Sequence, residues 1–120
     1  MVTYEVYLEE DSLDFPHEQA HRRHITDYLT RDSIVVAEEK KGAIKEREIR
    51  PLIDDISLER WNGGYRLEVT LDQREEKSLN PWILLKDLYK LDENQARALR
   101  VVKTDAQLIG TGEYALRNRD

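Results

Sequence analysis

The chain contains no cysteine. That absence excludes a disulfide framework, a thiolate metal site and a cysteine nucleophile, and it suits a reducing cytoplasm, where we expect the protein to reside. Long apolar runs are also missing. None approaches the roughly 20 residues that a membrane-spanning helix needs, so no membrane partner is expected. The opening MVTYEVYLEE alternates polar and apolar residues and carries acids early, unlike a secretory leader. Positive charge is not in excess: 19 Lys and Arg stand against 25 Asp and Glu, a net charge of −6. This balance weighs against non-specific binding to phosphate backbones, which needs clustered cations, but it leaves room for a local basic patch. The 5 glycines are scattered, and none belongs to a phosphate-cradling loop or a dinucleotide fingerprint.

What is present is a chain of 120 residues, the size of one domain, with 39% apolar and 37% charged residues. Runs such as SIVVA and PWILLKDLYKL supply a small core and exclude a disordered chain. We expect one domain over residues 1–110 and a polar tail over 111–120.

Val2, Tyr4, Val6 and Leu8 alternate with Thr3, Glu5, Tyr7 and Glu9, the pattern of a half-buried strand. Pro16 suits the first turn of a helix capped near Asp14 or Phe15 and running to about Arg31. Its inward face carries Phe15, Ile25, Tyr28 and Leu29. Ser33 to Glu39 reads as a buried strand, Lys41-Gly42 as a turn, and Ala43 to Arg50 as a polar edge strand ended by Pro51. Ile56 and Leu58 face Tyr65, Leu67, Val69 and Leu71 across Asn62-Gly63-Gly64, a strong hairpin signal. Asn80-Pro81 starts a second helix, with Trp82, Leu85, Leu88 and Tyr89 at helical spacing. A short helical turn over DENQARA and a strand over Leu99 to Lys103 follow. With the extra hairpin strand and its partner set aside, the order is βαββαβ, the ferredoxin-like arrangement. The expected fold is an α+β ferredoxin-like sandwich with a mostly antiparallel sheet. Two helices would cover one face and leave the other free for a partner.

Residues 17 to 21, HEQAH, match the zinc-protease pattern H-E-x-x-H. His17 and His21 lie one helical turn apart, His24 falls in the same sector, and Glu18 would polarise a metal-bound water. The context opposes that reading. The motif sits in the first turn of the helix, Arg22 and Arg23 follow it, and no further ligand motif lies downstream. We read the segment as a polar helix start that meets the pattern by chance. No cofactor is expected, and His17, His21 and His24 are the ligands if a metal binds.

Lys40, Lys41, Lys45, Arg47 and Arg50 make a basic hairpin. Alternation puts Lys45, Arg47 and Ile49 on one face and Glu46 and Glu48 on the other. Such a strand can contact RNA phosphates or an acidic partner, or it is a solvated edge guarded by charge. The pair Asp54-Asp55 reads as a turn rather than an acid–base couple. Trp61 and Trp82 offer surfaces for base stacking but read as packing residues. The histidines all sit in one polar turn, so no Ser-His-Asp arrangement is supported.

Two stretches, EEKKGAIKEREIRPLIDDISLE (38–59) and SLNPWILLKDLYKLDENQARALRVVKTD (78–105), together with the opening strand and helix, resemble the C-terminal half of the radical SAM-linked protein family. The family has no known function, and its members are often encoded beside or fused to a radical S-adenosylmethionine protein. Its pattern is matched by Ile49-Arg50-Pro51-Leu52-Ile53, by Asn80-Pro81 with Leu85 and Leu88, and by Arg100-Val101-Val102-Lys103-Thr104. Lys103 stands where the family usually has arginine. The family's larger N-terminal half has no counterpart here, so we expect a short stand-alone relative or an excised domain. The cluster-binding cysteines of radical SAM enzymes are absent as well. The resemblance implies a non-enzymatic accessory or interaction domain, with a radical SAM protein as partner and an RNA-processing context. Arg50 and Lys103 would then face the partner. The alternatives are a small RNA-binding module using Lys45 and Arg47, and a zinc hydrolase built on HEQAH.

Overall fold

The computed structural model describes residues 1–10, 13–72 and 79–104. The expected tail over 111–120 lies outside them. The alternating opening segment forms strand β1 (Val2–Glu9), with Val6 and Leu8 buried and Glu5 and Tyr7 on the opposite side. Helix α1 (Glu18–Leu29) begins later than Pro16 suggested. Its cap is His17, not Asp14 or Phe15. His17 has an extended backbone, and its Nδ1 accepts from the Ala20 amide at 3.1 Å. An imidazole nitrogen thus takes the role usually filled by a short polar side chain and satisfies one orphan amide of the first turn.

Strands β2 (Val35–Lys40) and β3 (Ala43–Glu48) reverse through Lys41 and Gly42, both at positive φ (51° and 79°). A short 3-10 turn, Arg50–Leu52, with Pro51 in its first positions, leads into β4 (Ile53–Trp61). Asn62 and Gly63, at φ 44° and 79°, turn the chain into β5 (Gly64–Leu71). Asn80 caps α2 (Pro81–Tyr89) by accepting from the Trp82 amide at 2.9 Å. Asp92 and Gln95 form a capping box on α3 (Glu93–Arg97), and β6 (Arg100–Thr104) follows.

The architecture is α+β. Four strands pair in the order β4-β5-β1-β6, each antiparallel to its neighbours. The extra strand expected in this sheet is instead a hairpin, β2-β3, that forms a second sheet of two strands. The β4 edge explains why it stays separate. Two of its carbonyls are already taken: Leu58 O accepts from Arg22 Nη1 at 2.7 Å, and Ile53 O from Arg50 Nη1 at 2.9 Å. A strand added there would have to displace two guanidinium groups.

One cluster forms the core. Ile25 and Tyr28 of α1 and Leu84, Leu85 and Leu88 of α2 join Val6 and Leu8 of β1 and Leu67 and Val69 of β5. Each fully buried leucine contributes about 2 kcal/mol. The inward face of α2 is turned slightly from the expected one, so that Leu84 is buried and Trp82 is half-buried. α1 and α2 touch directly, since the Tyr28 hydroxyl donates to Asp87 at 2.8 Å. Both helices therefore cover the same side of the sheet. No helix among the described residues is long and apolar enough to cross a membrane.

Candidate functional site

Among the described residues nothing covers the sheet side opposite the helices. Strand alternation fills it from the polar half of each strand. The register aligns Glu59, Arg66, Tyr7 and Arg100 in one row across all four strands. Trp61 lies one step further along β4 and is 43% exposed.

These side chains form a small aromatic and cationic platform. The Tyr7 and Trp61 rings meet edge to face, with centroids 6.0 Å apart. The Arg66 guanidinium lies 5.1 Å from the Trp61 ring, and that of Arg100 lies 5.0 Å from the Tyr7 ring. Arg66 is held on both sides, by Glu5 at 3.6 Å and by a short bond to Glu59. The Tyr7 hydroxyl donates to Glu5 at 3.0 Å. Partial burial, together with that carboxylate, pushes the phenol above its ordinary value, so Tyr7 stays neutral. Arg100 makes no ion pair among the described residues, and its one ring contact leaves its donors available. Beside the platform a cleft of about 840 Å³ opens between the β4-β5 turn and the start of β6. Tyr7, Trp61 and Arg100 form part of its wall, Leu13 and Leu99 are apolar lining, and Asn62 is polar lining.

The three histidines take three separate duties. His17 is the exposed helix cap. His21 is 1% exposed, stacks on Phe15 with centroids 4.5 Å apart, and shares a 2.7 Å hydrogen bond with the Tyr89 hydroxyl. Burial, reinforced by His24 and Arg22, pulls the His21 pKa down to about 4. Burial likewise pushes the Tyr89 phenol up, so it stays protonated and can donate to a neutral imidazole. His24 Nε2 donates to the Leu88 carbonyl at 2.5 Å. Glu18, the supposed general base, is bound to Arg22 at 2.9 Å and to Arg60 at 2.8 Å. The bond from Arg22, followed by that from Arg60, holds its carboxyl below the usual value. Among the described residues no group of three or more His, Cys, Asp or Glu could hold a metal ion. In HEQAH, His17 caps α1, Glu18 binds Arg22 and Arg60, and His21 joins α1 to Tyr89 of α2.

The basic residues are also dispersed. Arg50 does not face outward. Its guanidinium donates to Leu29 O and Ile53 O, both at 2.9 Å, and to Arg31 O at 3.2 Å, which locks the end of α1 to the start of β4. Arg47 shares a face with Lys45, as alternation required, and binds the buried Glu38 at 3.1 Å. Lys45 is exposed on that face. Lys103 is exposed on β6 and lines, with Arg47 and Trp82, a groove of about 1010 Å³ on the helix side. Asp54 and Asp55 are exposed at an irregularity where β4 begins, not in a turn. The platform residues that sequence reasoning left unassigned are Tyr7, Arg66 and Arg100. The signal was available, because alternation in β1 and β5 already puts Tyr7 and Arg66 on the polar side.

Comparison with protein-family models, with curated proteins and with solved structures gives no match.

Proposed function

We propose that this chain is a small, non-enzymatic interaction module of ferredoxin-like build. In this reading it works in the cytoplasm as an accessory to a radical SAM-linked protein that handles RNA. The observation that carries the reading is the pair of exposed cations, Lys45 on β3 and Lys103 on β6, that no ion pair among the described residues occupies. The ferredoxin-like reading is supported by topology. With the β2-β3 hairpin set aside, the order is strand, helix, two strands, helix, strand, and the first strand pairs with the third and the fourth. The accessory role is supported by residues 38–59 and 78–105, which resemble the radical SAM-linked family, and the lack of cysteine supports the compartment. Lys45, Arg47 and Lys103 face the protein partner in this reading, and Arg50 holds the fold behind them.

The test is complex formation with a radical SAM protein from the same genome, followed by size-exclusion chromatography and calorimetry. The reading expects a complex that Lys103→Glu weakens about 10-fold, because a rim cation becomes a like charge. No complex at micromolar concentrations would remove the accessory role.

A further inference from the structure

We infer that the open sheet face binds single-stranded RNA, with successive bases stacked on Tyr7 and Trp61 and the phosphates drawn to Arg100 at the β6 edge. The inference goes beyond the accessory reading and stands on this chain alone.

Three observations carry it. First, the two rings are neighbours on the open face, Trp61 exposed and Tyr7 half-buried, with centroids 6.0 Å apart. Bases offer flat faces only when unpaired, and rings on an open sheet are how a strand of any sequence is held. Guanidinium planes extend the platform, because Arg66 and Arg100 lie over Trp61 and Tyr7 and can stack on a base themselves. Second, charge is distributed to suit a polyanion at this end of the sheet. Arg66 neutralises Glu5 and Glu59, Arg60 pairs with Glu10, and Glu9 and Glu68 remain on the face away from the β6 edge. Arg100, exposed and over the Tyr7 ring, makes no ion pair among the described residues, and no acid occurs between Gln95 and Thr104. By contrast Arg22, Arg47, Arg50 and Arg60 are spent on carboxylates or carbonyls. The unspent positive charge beside the rings survives a chain-wide net charge of −6. Third, the face is a poor protein-docking surface. Threonines and glutamates fill it, and Val102, 36% exposed, is its one aliphatic side chain among the described residues. A protein interface wants an apolar core, whereas polar-edged aromatic bases do not. The adjoining cleft has Leu13 and Leu99 as apolar lining and Asn62, Glu9 and Glu10 as polar lining, so it can take a splayed base whose phosphate turns away to Arg100.

The test uses fluorescence anisotropy with a labelled oligouridine of about 8 nucleotides at low salt. Wild-type chain should bind, and its affinity should fall as salt is added. Tyr7→Ala and Trp61→Ala should each weaken binding about 10-fold or more. Urea unfolding midpoints of Tyr7→Ala and Trp61→Ala within the range of wild type separate lost stacking from a folding defect. Arg100→Gln should lower the salt slope by about 0.7, the loss of one phosphate contact on a single strand. Lys45→Gln, on the hairpin, should change nothing. In a Trp82→Phe chain Trp61 is the only tryptophan, and the oligouridine should quench its emission. The inference is overturned if wild type does not bind, if Tyr7→Ala binds as well as wild type, or if Trp61 emission is unchanged on binding. Equal affinity for duplex RNA, or tighter binding of the matching DNA, overturns it too. RNA binding lost while the protein complex persists leaves the accessory reading standing, and the reverse result removes that reading alone.

Discussion

His21 gives the sharpest quantitative prediction about the fold. Its ring is 1% exposed, is packed between Phe15, Tyr65 and Tyr89, and has its pKa pulled from 6.5 to about 4. The unfolded chain therefore takes up a proton on this residue at a higher pH than the folded chain does. Stability from the neutral, buried imidazole is fully present above about pH 6.5 and drains away as pH falls towards 4. The total is about 3 kcal/mol, from roughly 2.5 pH units at about 1.4 kcal/mol each, and about 2 kcal/mol of it is gone at pH 5. His24 and Arg22 add to the effect by opposing a second positive charge, and Glu18 opposes it weakly. Glu18 and Glu48 also have lowered pKa values, held down first by Arg22 and by Ser33 respectively, but their contributions fade only below about pH 4.5. The window between pH 7 and 5 thus isolates histidine. The assay is urea unfolding at both values for wild type and for His21→Gln, which cannot titrate and can still bond Tyr89. The gap between the two chains should shrink by about 2 kcal/mol on going to pH 5. Parallel loss in both chains would refute the reasoning, because it would mean that His21 accepts a proton in place.

Three further outcomes follow from the geometry. A Cβ at Gly64 would stand 2.2 Å from the Leu8 carbonyl, whereas one at Gly63 meets nothing within 4 Å. Gly64→Ala should cost about 3 kcal/mol in thermal or urea unfolding, and Gly63→Ala, strained only by its φ of 79°, about 1 kcal/mol. Arg50→Lys should cost about 2 kcal/mol despite keeping the charge, because a point ammonium cannot reach three carbonyls at once; a neutral effect in the same melts would deny the clamp its role. Dialysis against zinc, followed by a weak chelator and elemental analysis, should leave no stoichiometric metal on the untagged chain. One zinc that vanishes in His21→Ala would restore the HEQAH site and require His21 to leave its pocket.

Local signals in the sequence located most of the elements. The Asn62-Gly63 turn and the Asn80-Pro81 helix start are each decided by a few neighbouring residues, and both stand where turn and capping chemistry put them. Alternation in β1 separated Val6 and Leu8 from Glu5 and Tyr7 for the same reason. What local chemistry could not supply was long-range pairing. β1 binds β5 some sixty residues away, with Val6 opposite Leu67, and no short window encodes that register. The same limit hid the platform. Tyr7, Trp61, Arg66 and Arg100 come from four strands, and only the folded sheet makes them neighbours. Arg50 looked like a partner-facing cation because its three carbonyls belong to the end of α1 and the start of β4. His17 was missed as a cap because imidazole is not among the usual capping groups.

The most direct test of the open face as the working surface is a nitrogen–proton correlation map of the whole chain, recorded while oligouridine is added. Amides of Glu5 to Tyr7, Arg66 and Arg100, and the Trp61 indole, should shift together and saturate at one affinity, while those of α1 from Glu18 to His24 stay fixed. Shifts confined to α1 or to the β2-β3 hairpin, with the sheet unmoved, would contradict the account.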